Sequence, residues 1–140
     1  STLLTWMAEN RKPVFIVATA NDITELPPEL VRKGRLDEVF FVDLPDSTTR
    51  REIFAIHLAR RDLDPQRFDL DELAASADGF TGAEIEEAIV SARYLAGSRG
   101  DQVRQADVLA AVNRTYPMSV LRAESIQQLR AWAKGRTVPA

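Results

Sequence analysis

The chain has 140 residues, 45% hydrophobic and 28% charged, a balance that suits a globular chain with its own core and argues against disorder. A net charge of −3 and a pI near 5.2 argue against a broad nucleic-acid surface, although the Arg-heavy basic set can still form a local patch. No Cys and a single His leave no disulfide and no thiolate or His-rich metal site, and no apolar run approaches the roughly 20 residues of a bilayer crossing.

The first residues also lack the basic start and small-residue cleavage site of a signal peptide, so a cytoplasmic location is the expectation. Leu3, Leu4, Trp6 and Met7 fit the apolar side of a helix that stops near Asn10, before Pro13. Val14-Phe-Ile-Val17 is a continuous β-branched and aromatic run of the kind buried on both faces of a parallel sheet, and Val39-Phe-Phe-Val42 is a second. Pro27-Pro28 between them predicts a one- or two-turn helix through Arg32, ended at Gly34. Such a strand pair cannot satisfy its own edges, which hints at further strands outside the sequence.

From Asp46 onward the pattern is helical only. Asp46 or Ser47 caps a helix carrying Ile53, Phe54, His57 and Leu58 near one side, and Asp69 begins a shorter one. The acidic stretch Asp62-Leu-Asp64-Pro-Gln-Arg67 approaches a calcium loop, but Arg67 stands in place of the required Gly and Leu73 in place of the closing acid, so no metal site is assigned. Thr81-Gly-Ala-Glu84 is a capping box, after which Ile85, Ala88, Ile89, Ala92 and Leu95 recur at helical spacing until Gly97. A fourth helix covers Asp107 to Val112, and small Ala88 and Ala92 permit close packing into a four-helix unit. Tyr116-Pro-Met-Ser119 breaks the pattern before a last helix from Ala123 to Lys134.

The chemistry concentrates at Asn21, which ends the first strand, and at Arg32 and Arg35, three apart in Arg32-Lys-Gly-Arg-Leu-Asp37. An exposed Asn can orient a water and paired guanidiniums can neutralise charge developing on a phosphate. No G-x-x-x-x-G-K-[ST] loop is present, and neither Lys12, Lys33 nor Lys134 follows a Gly. Each feature also has a plainer structural meaning. Arg-x-x-Arg is commonly a solvated pair, Asn21 can cap the turn continued by Asp22 and Thr24, and His57 can be a partly buried core histidine. Gly82 and Ala83 can be a tight helix start, while Glu84, Glu86 and Glu87 form an acidic first turn with no catalytic role.

Together these residues resemble the AAA ATPases of the AAA+ superfamily, from Val14 to about Thr115. Val14 to Asn21 is similar to the sensor-1 strand, and Leu26-Pro-Pro-Glu-Leu-Val-Arg-Lys-Gly-Arg-Leu-Asp37 to the region that carries the family's arginine fingers, which the resemblance places on Arg32 and Arg35. Gly82-Ala83-Glu84-Ile85 is similar to the element that packs on adenosine, and His57 falls where several members place a His against the adenine and ribose. Ala18-Thr19-Ala20-Asn21 departs from the commoner Ala-Ala-Thr-Asn but keeps the Asn in register. Leu3-Leu-Thr-Trp-Met7, Leu26-Pro-Pro-Glu-Leu30 and Ala123 to Ala133 further resemble stand-alone AAA proteins of bacteria, cyanobacteria and plastid genomes. In those proteins this module comes last, which implies a natural C-terminus here and a phosphate loop and magnesium-binding acids upstream.

The resemblance implies an α/β fragment, the last strands of a parallel P-loop-type sheet, followed by an all-α helical lid, predominantly helical throughout. Its expected divisions are residues 1–45 as core, 46–115 as lid and 116–140 as a helical tail. It implies ATP and Mg2+ as cofactors of the intact protein, a homo-oligomer, ring-shaped in the family's manner, a protein partner, and an isolated fragment without activity. Two rivals remain at this point. A non-enzymatic helical interaction module would be indifferent to Arg35→Ala, and a nucleic-acid-handling AAA+ motor would bind DNA or RNA with steep salt dependence.

Overall fold

The computed structural model describes residues 2–30 and 36–140, and the chain divides into two units: Ser1–Val42 with Gln128–Ala140, and Asp43–Gln127. In the first unit, α1 (Thr2–Glu9) ends where the pattern places it. Asn10 closes it, its side-chain amide donating to the Lys12 carbonyl at 3.2 Å while its oxygen accepts the Lys12 N–H at 3.3 Å.

The expected strand at Val14–Val17 does not form; the segment is irregular, with Phe15 94% exposed. Among the described residues nothing pairs with it, so its peptide groups have no ladder and its side chains no layer to pack against. The Val39–Val42 run does yield a strand, β1 (Phe40–Phe41), paired in parallel with β2 (Val138–Pro139) in the register Phe40 to Val138. The Val138 N–H donates to the Val39 carbonyl at 2.9 Å, and Pro139, which has no N–H to offer, sits on this short edge without loss. The expected helix from Pro27 begins as a turn, Leu30 N–H to Pro27 carbonyl at 2.9 Å, and its remainder, with Arg32 and Arg35, lies outside the described residues.

The second unit is helical. α2 (Ser47–Ala59) starts at Asp46, whose carboxylate accepts the Thr49 N–H at 2.7 Å; a 3-10 turn (Pro65–Arg67) and α3 (Leu70–Ser76) follow, each capped by an Asp. α4 (Gly82–Ser98) carries the capping box, and α5 (Gln105–Asn113) and a short α6 (Met118–Leu121) follow, while α7 (Ala123–Ala133) starts in this unit and from Gln128 onward belongs to the first. α4 outruns its expected end, because a Gly inside a helix costs only about 1 kcal/mol. The true stop is Gly100, at φ 73°, which lets the Asp101 N–H reach back to the Ala96 carbonyl at 3.0 Å.

One core holds this unit together. Phe54 and Leu58 of α2, Leu73 of α3, Ile85 and Ile89 of α4 and Val108 of α5 are all fully buried. Ala88, Ala92 and Ala96 present no bulk, so α4 packs closely on α5 and α2. Arg50 is buried too: Nε donates to the Ala74 carbonyl at 2.9 Å, NH1 to the Pro45 carbonyl at 2.9 Å, and NH2 lies 3.2 Å from Asp78. It ties the C-terminal end of α3 to Pro45, just before the cap of α2, a link that no sequence pattern announces. At the head of α3, the Gln105 side chain exchanges hydrogen bonds with the Asp69 backbone at 3.1 and 3.2 Å.

Phe54→Ala is expected to destabilise the chain by about 3–5 kcal/mol through the cavity it leaves. Arg50→Met should cost about 1–3 kcal/mol by stranding two carbonyls. Urea denaturation followed by circular dichroism measures both, and an unchanged midpoint for either contradicts the packing described.

Candidate functional site

The nominated residues fall in different units. Asn21, in the first, is exposed, and the turn after it is capped by Asp22, whose Oδ1 accepts from the Thr24 N–H at 2.8 Å and the Thr24 hydroxyl at 2.6 Å. The capping role considered for Asn21 thus belongs to its neighbour. Arg32 and Arg35 lie outside the described residues.

In the second unit, His57 and Gly82 lie along one seam between α2 and α4, and Ala83 follows Gly82 in the exposed first turn of α4. A Cβ added to Gly82 would lie 3.6 Å from Ile53 Cδ1, while His57 Nδ1 is 3.5 Å from Glu86 Oε1. Ile53 and His57 are four residues apart on α2, as Gly82 and Glu86 are on α4, so the two helices run side by side in the same sense here, and Arg61 stands in the turn just past α2. Arg61 completes the row, donating to Glu86 Oε1 at 2.7 Å and approaching His57 Nδ1 at 3.4 Å. Both neighbours of the imidazole use Nδ1, which leaves Nε2 facing away from them. Glu86 is therefore an inter-helix partner of Arg61 and His57, where the sequence suggested only a dipole-favoured acid. The pairing depends on how α2 and α4 are rotated against each other, and residue spacing does not encode that.

The start of α4 is built by Thr81 and Glu84. The Thr81 hydroxyl accepts the Glu84 N–H at 3.2 Å, and Glu84 Oε2 accepts the Thr81 N–H at 2.7 Å and the Thr81 hydroxyl at 2.9 Å. In the first turn the N–H groups of Gly82 and Ala83 have no carbonyl four residues back, so they point out of the helix end as donors. Ala83 is exposed and Gly82 partly so. Such donors on small residues are open to an acceptor that approaches the backbone. No group of three or more His, Asp or Glu among the described residues is arranged to hold a metal ion.

A separate groove of about 400 Å3, lined by Arg61, Leu63, Phe68, Arg93 and Val103 with neighbouring residues, contains none of the nominated residues. Part of its charge is already engaged, Arg61 by Glu86 and Arg67 by Gln102 at 3.3 Å.

Against this geometry, comparison with known proteins is specific. Residues 1–44 match the ATPase family associated with various cellular activities (AAA), and residues 67–110 match the AAA+ lid domain. The chain belongs to the AAA family. Asn21, Arg32 and Arg35 fall in the first matched stretch and Gly82 and Ala83 in the second, while His57 lies between them. The AAA domain-containing protein ycf46 of Guillardia theta is 43% identical over 133 residues, 94% of this chain and 26% of that protein. The ATP-dependent zinc metalloprotease FtsH 2 of Sphaerobacter thermophilus is 40% identical over 76% of the chain and 16% of its own length. The proteasome-activating nucleotidase of Saccharolobus solfataricus is 37% identical over 72% of the chain and 26% of its own length. The chain thus spans about a quarter or less of these relatives. None of its helices among the described residues is long and apolar enough to cross a membrane.

Three carboxyls are held below their ordinary values. The Arg61 hydrogen bond does this for Glu86, ordinarily 4.5; the Arg99 hydrogen bond, then the Arg104 N–H, for Asp107, ordinarily 3.8; and the Thr49 N–H for Asp46, also 3.8. Because the folded values lie lower, folding favours the ionised forms. That stabilisation is complete above the ordinary values and is lost as pH falls through the folded ones. Urea midpoints should therefore hold down to about pH 5 and then decline. Asp107→Asn should lower the neutral-pH midpoint and flatten the acid decline; an unchanged pH profile contradicts the Arg99–Asp107 pairing.

Proposed function

We propose that the full-length protein containing this chain hydrolyses ATP as an oligomeric ring and uses the turnover to remodel a protein partner in the cytoplasm. The observation that carries this reading is the α2–α4 seam. Within an AAA-family chain, His57 and Gly82 lie along one inter-helix surface, and the exposed Ala83 follows in the same first turn. Internal packing does not demand glycine at position 82, since a methyl there meets Ile53 at an ordinary 3.6 Å. Its smallness is free to serve a ligand that approaches the backbone.

In this reading Gly82 and Ala83 take the adenosine, with His57 offering Nε2 to the base or ribose. The Asn21 amide orients the attacking water, and Arg32 and Arg35 reach the terminal phosphate bound by a neighbouring subunit, where guanidinium charge offsets what develops in the transferred phosphoryl group. Mg2+, for which the described residues form no cluster, would supply charge neutralisation at the phosphates when bound. Residues 1–45 act as part of the α/β core, 46–115 as the lid and 116–140 as the tail. The isolated chain is inert. Lid movement about Pro45 and Asp46 couples turnover to the partner. The relatives named as an ATP-dependent metalloprotease and a proteasome-activating nucleotidase support a protein rather than a nucleic-acid target.

Arg35→Ala in the full-length protein should leave ATP binding intact and reduce turnover by about 10³-fold or more. The wild-type rate per subunit should rise with protein concentration as the ring assembles. Unchanged turnover in the variant would sink the trans-arginine role and return the chain to the class of helical interaction modules.

A further inference from the structure

Glu84 stands out among the acids of this chain because it is 9% exposed and both of its carboxylate oxygens are committed. Oε2 serves Thr81, and Oε1 accepts the Met118 N–H at 2.7 Å, across 34 residues of sequence. A carboxylate this buried is tolerated only when hydrogen bonds replace its water, so losing the Met118 donor leaves one oxygen uncompensated. The same tail segment makes a second contact with the loop before α4. Gly79 has φ 75°, and a Cβ there would run into the Ser119 side chain. Met118 and Ser119 therefore lie along the loop and cap that lead into Gly82.

From these contacts we infer that Pro117–Ser119 is a strap acting through Glu84 as a positioning residue, setting the orientation of the Gly82–Ala83 donors and hence the affinity of the site for nucleotide. This rests on the proposed role of Gly82 and Ala83 at adenosine. The physical chain is short. The strap N–H holds one oxygen of Glu84, the other oxygen holds the Thr81 N–H and hydroxyl, and the Thr81 hydroxyl in turn accepts the Glu84 N–H at 3.2 Å in the first turn of α4. Anything that pulls the tail away, such as engagement of α7 by a partner, loosens this turn and weakens nucleotide binding. By linkage, bound nucleotide holds the strap in place.

The backbone permits a clean test. Met118 is the first residue of α6, where proline is well accepted, and Pro117 already has ψ 144°, the extended conformation a following proline requires. Met118→Pro in the full-length protein removes the N–H with little other demand on the backbone, and Met118→Leu keeps the N–H while changing the side chain. ADP titrated by calorimetry, with ATP turnover alongside, should show about a 5-fold or larger rise in Kd and KM for Met118→Pro, kcat within about 2-fold, and wild-type behaviour for Met118→Leu. Glu84→Gln, which cannot accept on both sides at once, should shift ADP affinity in the same direction and provides the second variant if Met118→Pro does not fold. Equal affinities in wild type, Met118→Pro and Glu84→Gln overturn the strap while leaving the proposed ATPase intact. An equal loss in Met118→Leu and Met118→Pro also overturns it, since the effect would then come from the side chain. A wild-type protein that binds no ADP overturns the proposed function and this inference with it.

Discussion

The helical unit depends on α2 lying against α4. Phe54 and Leu58 on one helix and Ile85 and Ile89 on the other are fully buried in a single core. Once these side chains are packed, the rotation of each helix is no longer free, because turning either one would expose large apolar groups at about 1.5–3 kcal/mol each. The polar consequences follow from that constraint. Ile53 is set beside Gly82, His57 beside Glu86, and Arg61 close enough to Glu86 to share its carboxylate. The candidate site is thus the polar margin of a hydrophobic contact.

Around this core, buried polar groups act as fasteners between segments that are far apart in sequence. Arg50 fixes Pro45, just before the cap of α2, to the end of α3, Glu84 fixes the start of α4 to the tail, and Gln105 fixes the head of α5 to the head of α3. None of the buried side-chain nitrogens or oxygens among the described residues lacks a partner. Such groups cost free energy when unpaired, so each one strongly disfavours packings in which its partner moves away. They make the arrangement specific, while the apolar core supplies most of the driving force.

The helical half was legible in the sequence because its signals are local. Asp46, Asp69 and Thr81 cap helices within three residues of themselves, and Ile85 through Ala92 repeats within a single helix. The strand reading at Val14–Val17 failed for the complementary reason. Its apolar composition describes a residue's preference for a sheet interior, but a strand exists only beside another strand, and none among the described residues lies beside it. The partner of β1 came instead from the far end of the chain, at Val138. The Gly97 stop was misplaced because a glycine terminates a helix only where a left-handed residue is needed, and that residue is Gly100.

Local signals in the chain sufficed for the long helices, their caps and the apolar faces that must be buried, while the break read at Tyr116–Ser119 holds the short α6. Packing alone settles which donor meets which acceptor: Arg50 with Ala74 across 24 residues, Arg61 with Glu86 across 25, Met118 with Glu84 across 34. Caps and periodicity are properties of neighbouring residues and can be read in order. Long-range pairs depend on helix rotation and register, which all the packed side chains settle together.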